Sequence, residues 1–218
     1  MKYPPYRIET KRCVLRCWNP SDAKLLHSTI IKNVDHLKEF MSFVQKEPLA
    51  VEDRIEILRR FRSNFDASKD FVYGIFSKDE SKVIGGTGLH TRNGKYAYEI
   101  GYWIDKDECG KGIATEISKA LIKVGFMNEE IDRFEIKCDP DNLSSQNVPK
   151  RLGFNLECVR KRLNTTFEGQ FKDFMIWVLF RSEYKGFDDN EIKIFDVFGE
   201  EISKSLQNPI YFVIFRLN

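Results

Sequence analysis

Apolar and polar positions in the first third of the chain follow a helical period. After the helix-start signal Asn19-Pro20-Ser21-Asp22, apolar residues recur three or four positions apart, and the same spacing returns in Val51, Ile55 and Leu58. Such spacing predicts amphipathic helices with polar residues on the opposite face.

From residue 71 the pattern changes to short apolar runs that are bounded by polar turns. The runs are Phe71 to Phe76, Val83 to Leu89 and Tyr96 to Ile104. The connections between them are short, so we expect an antiparallel meander. Asn93-Gly94 in the second connection predicts a hairpin turn in which both residues adopt positive φ angles.

The remaining pattern alternates helix and strand before it ends in two strands. The predicted elements are a helix after Gly112, a strand from Ile131 to Cys138, a helix from Leu143 to Leu152 that ends at Gly153, and strands Phe154 to Val159 and Phe171 to Phe180. This order predicts an α/β (α+β) fold with a mixed sheet.

The composition is that of an ordinary globular protein. The chain has 218 residues, 42% hydrophobic and 31% charged, with a net charge of +2. This charge gives no case for a nucleic-acid or membrane partner. The N-terminus lacks the apolar core of a secretory signal, and the longest apolar runs are too short to span a bilayer. We therefore expect a cytoplasmic protein.

The five cysteines are odd in number and have no CxxC pair. They are Cys13, Cys17, Cys109, Cys138 and Cys158. This spacing predicts free thiols in a reducing compartment and no metal site.

The stretch Tyr98 to Thr115 combines a strand, a charged turn and the glycine pair Gly110-Lys111-Gly112, directly before a helical run. Backbone N–H groups at a helix N-terminus have no intrahelical partner, and the helix dipole favours negative charge there. The stretch therefore predicts an anion site, most simply for phosphate.

Ordered short motifs resemble one known family over residues 7–181. They include Gly85-Gly86-Thr87-Gly88-Leu89, Glu99-Ile100-Gly101-Tyr102-Trp103, Gly110 to Thr115, Asp141-Asn142-x-x-Ser145 and Leu152-Gly153-Phe154. Together they resemble the GNAT acetyltransferases, and among them the RimJ/RimL-like group that acetylates the N-termini of ribosomal proteins.

The resemblance implies a GNAT fold, with a mostly antiparallel central sheet flanked by helices, over residues 1–185. Residues 186–218 lie beyond it as a short C-terminal extension of unknown role. Within the extension, the residues from Ile192 to Ile202 suggest a small hairpin, and the run Ile210 to Phe215 suggests a strand.

Acetyl-CoA is the cosubstrate that the resemblance implies, with no metal. Its phosphates are expected on the glycine loop, although Cys109 replaces the usual Gln or Arg at the first loop position. Pantetheine is expected between two splayed strands. The implied cofactor-binding residues are Trp103, Ile104, Cys109, Gly110, Lys111, Gly112, Ile113, Ala114, Thr115 and Asn142. Asn142 has the alternative role of a helix N-cap.

Glu99 and Ser145 are the catalytic candidates. Glu99 lies among apolar residues, which predicts a pKa raised by burial and a role as general base. Its alternative is a structural carboxylate paired with a basic neighbour. Many GNAT enzymes protonate the leaving thiolate with a tyrosine at the position of Pro149, which has no donor. The resemblance therefore assigns this role to Ser145, whose alternative is helix capping.

Two further residues have simpler interpretations than catalysis. His90 follows the second meander strand and could line an acceptor pocket, but a surface or core histidine is the more ordinary role. Cys109 precedes a helix N-terminus, which lowers a thiol pKa, yet no His or Asp motif beside it supports a nucleophile.

The expected activity is direct transfer of an acetyl group from acetyl-CoA to a primary amine in a ternary complex. The first choice of acceptor is the N-terminus of a ribosomal or other protein. The alternatives are a small amine such as an aminoglycoside or polyamine, and a non-catalytic sensor that only binds acyl-CoA. The expected assembly is a monomer or a homodimer.

Overall fold

The computed structural model describes residues 4–166, 168–187 and 191–202. The strands in this part of the chain are β1 (Arg7–Glu9), β2 (Cys13–Cys17), β3 (Phe71–Ser77), β4 (Val83–His90), β5 (Ala97–Ile104), β6 (Arg133–Cys138), β7 (Asn155–Thr165), β8 (Phe171–Phe180) and β9 (Lys193–Phe195). The helices are α1 (Ala23–Leu37), α2 (Val51–Asp66), α3 (Ile113–Phe126) and α4 (Leu143–Arg151).

The strands form one sheet in the order β7-β8-β6-β5-β4-β3-β2-β1-β9. Neighbouring strands are antiparallel except for β5 and β6, which are parallel. A parallel pair needs a long crossover, and α3 provides it. The meander of β3, β4 and β5 and the mixed sheet are therefore confirmed.

Helices cover the two faces of the sheet with separate cores. The alternation of side chains along a strand sends neighbouring residues of β5 to opposite faces. Tyr98, Ile100 and Ile104 pack with α3 in the larger core, whereas Trp103 packs with α1 and α2 in the smaller one. Each residue of β5 can thus be assigned to one face.

The pairing of β5 with β6 is short. It joins only Ala97–Glu99 to Arg133–Glu135, after which the two strands separate. Each strand continues on its other side, because β5 stays paired with β4 as far as Ile104 and β6 stays paired with β8 as far as Cys138. A gap therefore opens in the middle of the sheet, between residues 100–104 and 136–138.

Small residues in β4 permit the close packing of β5 beside this gap. A Cβ on Gly86 would lie 2.5 Å from the indole Nε1 of Trp103, and a Cβ on Gly85 would collide with the carbonyl oxygen of Trp103. A side chain at either position would push β5 out of place.

Two local predictions are wrong in detail. Strand β7 extends to Thr165 rather than Val159, and every residue of it is exposed, so it has no apolar alternation that marks its full length. In the loop before β5, Gly94 has a φ of +103° but Asn93 has no positive φ. The Asn93 side chain instead binds acidic residues of the sheet.

The described part of the C-terminal extension adds to the same sheet. Strand β9 pairs with β1, and the buried Ile194 joins the larger core. An antiparallel bridge between Phe195 and Glu201 confirms the small hairpin. The run from Ile210 to Phe215 lies outside the described residues, and the division at residue 185 stays a prediction. In the described ranges no helix is both long and apolar enough to cross a membrane.

Candidate active site

The N-terminus of α3 is uncapped and accessible. Gly110 and Gly112 both have a φ of +78°, and Gly112 is the N-cap, where it offers no side chain to the helix. The first intrahelical bond runs from the N–H of Glu116 to the carbonyl of Gly112. The preceding N–H groups, on Ile113 to Thr115, have no helical acceptor and can bind an anion.

Arg12 brings positive charge to this loop from the turn between β1 and β2. Its guanidinium donates to the carbonyl oxygen of Lys111 and forms a 2.6 Å ion pair with Glu116. It lies 3.5 Å from the position of a Cβ on Gly112. A cation from a distant part of the sequence thus lies beside the anion site, where Glu116 holds it in place.

Cys109 begins the loop as an exposed side chain. Its Sγ lies 3.5 Å from Nε2 of His36. Partial burial and the nearby carboxylates of Asp105 and Glu108 raise the pKa of the thiol. A protonated thiol is a poor nucleophile, so the geometry agrees with a binding position and gives no support to covalent catalysis by Cys109.

Backbone geometry distinguishes Trp103 from Ile104 as a donor into the gap. The N–H of Asp105 donates to the carbonyl of Ile84 on β4. Backbone groups of a strand alternate between its two edges, so the N–H of Trp103 also faces β4. The N–H of Ile104 then faces β6 across the gap, which favours Ile104 over Trp103 as the donor that a ligand in the gap would meet.

Ser145 and Tyr102 contact each other beside the gap, on the face of the sheet that α3 covers. The hydroxyl oxygens of the two residues are 3.1 Å apart, and the Tyr102 hydroxyl is 3.3 Å from the carbonyl oxygen of Ser145. Pro149 lies four residues later in α4 and has no N–H for that carbonyl. The tyrosine hydroxyl can donate to that carbonyl or to the serine oxygen, and in the second arrangement the serine keeps its own proton.

Asn142 is the N-cap of α4. Its Oδ1 accepts from the N–H of Ser145 at 2.9 Å. The capping role is confirmed, and it leaves the side-chain NH₂ group to contact a ligand.

Glu99 lies on the other face of β5 in a network of charges. Its carboxylate forms an ion pair with Arg92 and a 2.7 Å ion pair with Lys137, and it accepts from the Asn93 amide at 3.2 Å. Burial alone raises the pKa of Glu99, but these partners outweigh it and lower the pKa to about 2. The expectation of a raised pKa is wrong, because Lys137 comes from a strand distant in sequence and Arg92 reaches back from the turn before β5.

His90 and Asp70 form a second polar pair on that face. Nδ1 of His90 lies 2.9 Å from Oδ1 of Asp70, and His90 is directly opposite Glu99 in the register of β4 and β5. Residues opposite each other in a sheet project to the same side. His90 and Glu99 thus lie on one face of the gap, whereas Tyr102 and Ser145 lie on the other.

Comparison with known proteins gives the family. The family model for the acetyltransferase (GNAT) domain matches residues 12–155. The chain belongs to the GNAT acetyltransferase family. Its chemistry is transfer of an acetyl group from acetyl-CoA to an amine.

Relatives of this GNAT protein include enzymes that are named as N-acetyltransferases of ribosomal proteins. YdaF of Bacillus subtilis, provisionally named a ribosomal N-acetyltransferase, is 30% identical over 79% of this chain and 93% of its own length. The ribosomal protein uS5-alanine N-acetyltransferase of Escherichia coli is 27% identical over 81% and 91%. The solved structure of RimL with coenzyme A has 24% identity, a TM-score of 0.71 and coverage of 80% and 97%. The expected GNAT fold is confirmed.

Sequence reasoning missed several residues that the GNAT fold brings to the site. The sequence alone assigns no role to Arg12, Tyr102 or Asp70. Glycine inside a strand indicates that another group lies close to the backbone. Gly88 and Gly101 were the available signal of this kind, because the ring of His90 lies close to both.

The lowered pKa of Glu99 predicts a pH-dependent contribution to stability. The folded value of about 2 lies below the ordinary value of 4.5, so the contribution is complete above pH 4.5 and is lost as the pH falls toward 2. Glu99→Gln is expected to lower the free energy of unfolding at pH 7 by about 1–2 kcal/mol. This figure is smaller than the pKa difference alone implies, because solvent screens the ion pair with the exposed Arg92. Urea unfolding of both proteins between pH 7 and pH 3 measures this difference.

The matched control is Glu157→Gln, which removes an exposed carboxylate of β7. It is expected to change stability by less than about 0.5 kcal/mol at any pH in this range. A Glu99→Gln deficit that stays constant from pH 7 to pH 3 would contradict the ion-pair explanation.

Proposed function

We propose that the protein acetylates the α-amino group of a protein N-terminal residue, by direct transfer from acetyl-CoA in a ternary complex. Family membership establishes acetyl transfer. The acceptor is supported by relatives that are named for ribosomal proteins, including an alanine N-acetyltransferase and the ribosomal-protein-serine acetyltransferase of Escherichia coli, 34% identical over 63% of this chain and 76% of its own length.

The observation that carries the proposal is the gap between β5 and β6, which leads from the uncapped start of α3 to the middle of the sheet. Acetyl-CoA has an anionic pyrophosphate and an extended, amide-containing pantetheine. The loop from Cys109 to Thr115 offers backbone donors to the pyrophosphate, and Ile104 offers a backbone donor to the pantetheine. Asn142, whose Oδ1 caps α4, can offer its NH₂ group beside the gap.

Ser145 is the proposed proton donor to the thiolate that leaves during transfer. Its hydroxyl lies in the first turn of α4, beside the gap, and is held by Tyr102 at 3.1 Å. Burial raises the pKa of the Tyr102 hydroxyl, so it remains protonated and keeps the serine hydroxyl oriented. Proton donation to the leaving group in such an arrangement is ordinary general acid catalysis.

The acceptor amine would enter from the face of α1 and α2. Tyr102 and Ser145 occupy the face of α3 and α4, while His90 and Glu99 lie on the opposite one. Separate approaches to the gap allow both substrates to be present together, which direct transfer requires. Glu99 stays a candidate base in this proposal, although it is ionised and paired.

A panel of amines tests the acceptor class. We expect release of coenzyme A with peptides that have a free N-terminal alanine or serine, and a gain of one acetyl group on the N-terminal residue by mass spectrometry. The control peptides have the same sequences, which include a lysine, but are already blocked at the N-terminus. An aminoglycoside and a polyamine complete the panel.

Turnover of the small amines alone would replace the peptide acceptor with a small-molecule one. Binding of acetyl-CoA without turnover of any amine would contradict the proposed enzyme and favour a sensor.

Ser145→Ala is expected to lower kcat by about 100-fold, because the thiolate must leave without a positioned donor. The KM for acetyl-CoA should change by less than about threefold, since the phosphate loop is untouched. Steady-state kinetics with the best peptide of the panel provides both constants.

Ser144→Ala is the matched control, because Ser144 is the exposed neighbour in the same turn of α4. It should retain kcat. Equal kcat values for Ser145→Ala and Ser144→Ala would remove Ser145 from the mechanism.

A further inference from the structure

The imidazole of His90 is held in a defined position beside the gap. Its Nδ1 contacts both carboxylate oxygens of Asp70, at 2.9 and 3.1 Å. Asp70 comes directly before β3, and His90 ends β4, so two neighbouring strands fix the pair. The side chain of His90 is 18% exposed, which leaves a narrow path to solvent.

Two glycines leave room for the ring. A Cβ on Gly88 would lie 3.0 Å from Nε2 of His90, and a Cβ on Gly101 would lie 3.2 Å from the same atom. Gly88 and Gly101 are directly opposite each other in β4 and β5. The Nε2 edge of the ring therefore lies close to both strands, in space that a side chain at either position would fill.

The contact with Asp70 determines which nitrogen carries the proton. A carboxylate accepts hydrogen bonds, so the neutral ring donates from Nδ1 and keeps a lone pair on Nε2. Nε2 has no hydrogen-bond partner among residues 4–166, 168–187 and 191–202. It is therefore available to accept a proton from a ligand.

The position of Nε2 coincides with the start of the gap. The last paired residue of β5 is Glu99, and Gly101 is the second residue beyond it. Nε2 lies over Gly101, on the face from which the amine approaches. The Glu99 side chain is less exposed than that of His90, at 5% against 18%, and its carboxylate is enclosed by Arg92, Asn93 and Lys137.

We propose that His90 is the general base of the reaction and that Asp70 is its positioning residue. This inference rests on the proposed function. Nε2 accepts one proton from the acceptor ammonium. The freed amine forms a bond to the thioester carbonyl carbon, the carbon–sulfur bond breaks, and the sulfur leaves with the bonding pair and takes a proton from Ser145. The nitrogen loses its second proton as the amide forms, and this proton passes through water to the Ser145 oxygen and restores its hydroxyl. The imidazolium then releases its proton to water.

His90 suits this task better than Glu99 for an electrostatic reason. General bases are most effective when their pKa is near the working pH. Ion pairs that outweigh the effect of burial lower the pKa of Glu99 to about 2, which makes it a weak base at neutral pH. An imidazole has an ordinary pKa of about 6.5.

Charged groups of both signs lie around the ring. Asp70 before β3, Glu99 on β5 and Glu135 on β6 are negative. Arg92 after β4 and Lys137 on β6 are positive, and both are paired with Glu99.

The test is the pH dependence of kcat/KM for His90→Gln with a free N-terminal peptide. At pH 7 we expect a loss of at least about 100-fold. The loss should shrink as the pH rises toward 9, because the peptide amine loses its own proton near pH 8 and no longer needs a base. Added imidazole should restore part of the activity of His90→Ala.

A readout without turnover accompanies the kinetics. In the ¹⁵N NMR spectrum of the intact protein, His90 is expected to carry its neutral proton on Nδ1, and Asp70→Asn should increase the other tautomer. Asp70→Asn should also lower kcat/KM by less than His90→Gln does, as expected for a residue that acts through the ring.

The controls separate the base from a structural role. His27→Gln removes a different imidazole, on α1, and should keep the wild-type pH profile. Calorimetric binding of coenzyme A shows whether each variant keeps its fold, and it should be unchanged in His90→Gln.

Retained activity of His90→Gln at pH 7 would overturn the proposal, as would a loss that stays constant up to pH 9. A neutral proton on Nε2 in the wild type would also overturn it. If the wild-type protein itself acetylates no peptide, the proposed function fails instead, and the two failures are thereby distinct.

Discussion

The short pairing between β5 and β6 is the constraint on which the site depends. Three residues of each strand are joined, and both strands then continue with partners on their outer sides only. Hydrogen-bonding groups that a sheet would normally satisfy are left facing each other across the gap. The crossover helix α3 begins at the same edge, so its open N-terminus and the gap form one continuous polar path.

The two faces of the gap have different chemistry because side chains alternate along β5. On one face, Tyr102 fills the hydrogen-bonding deficit that Pro149 creates in α4, and Ser145 is oriented as a result. On the other, Glu99 is neutralised by cations while the imidazole of His90 stays open. A hydroxyl group and a nitrogen acceptor thus lie on opposite sides of one opening, and the proposed proton transfers use this arrangement.

Local sequence signals predicted the parts of the protein that local chemistry determines. The glycine loop before α3, the Asn142 cap, the meander and the C′ glycine at position 153 all follow from residues close in sequence. The environment of Glu99 does not follow from residues close in sequence, because Lys137 becomes its neighbour only when β5 and β6 pair in parallel. The same holds for Asp70 and His90, which are twenty residues apart in sequence.

The length of β7 shows a further limit of predicting strands from the sequence. Its eleven residues are all exposed, so backbone pairing with β8 defines the strand and no buried face marks it in the sequence. Periodicity detects elements that bury one side, and it does not detect an exposed edge strand.

The central claim is that acetyl-CoA lies along the open start of α3 and in the gap beside β5. Titration of the ¹⁵N-labelled protein with acetyl-CoA, followed through its backbone amide signals, tests this claim most directly. The largest shifts are predicted for Gly110 to Thr115 and for Ile104, with small shifts in β7. Saturable binding that leaves the amides of the α3 N-terminus and Ile104 unchanged would contradict it.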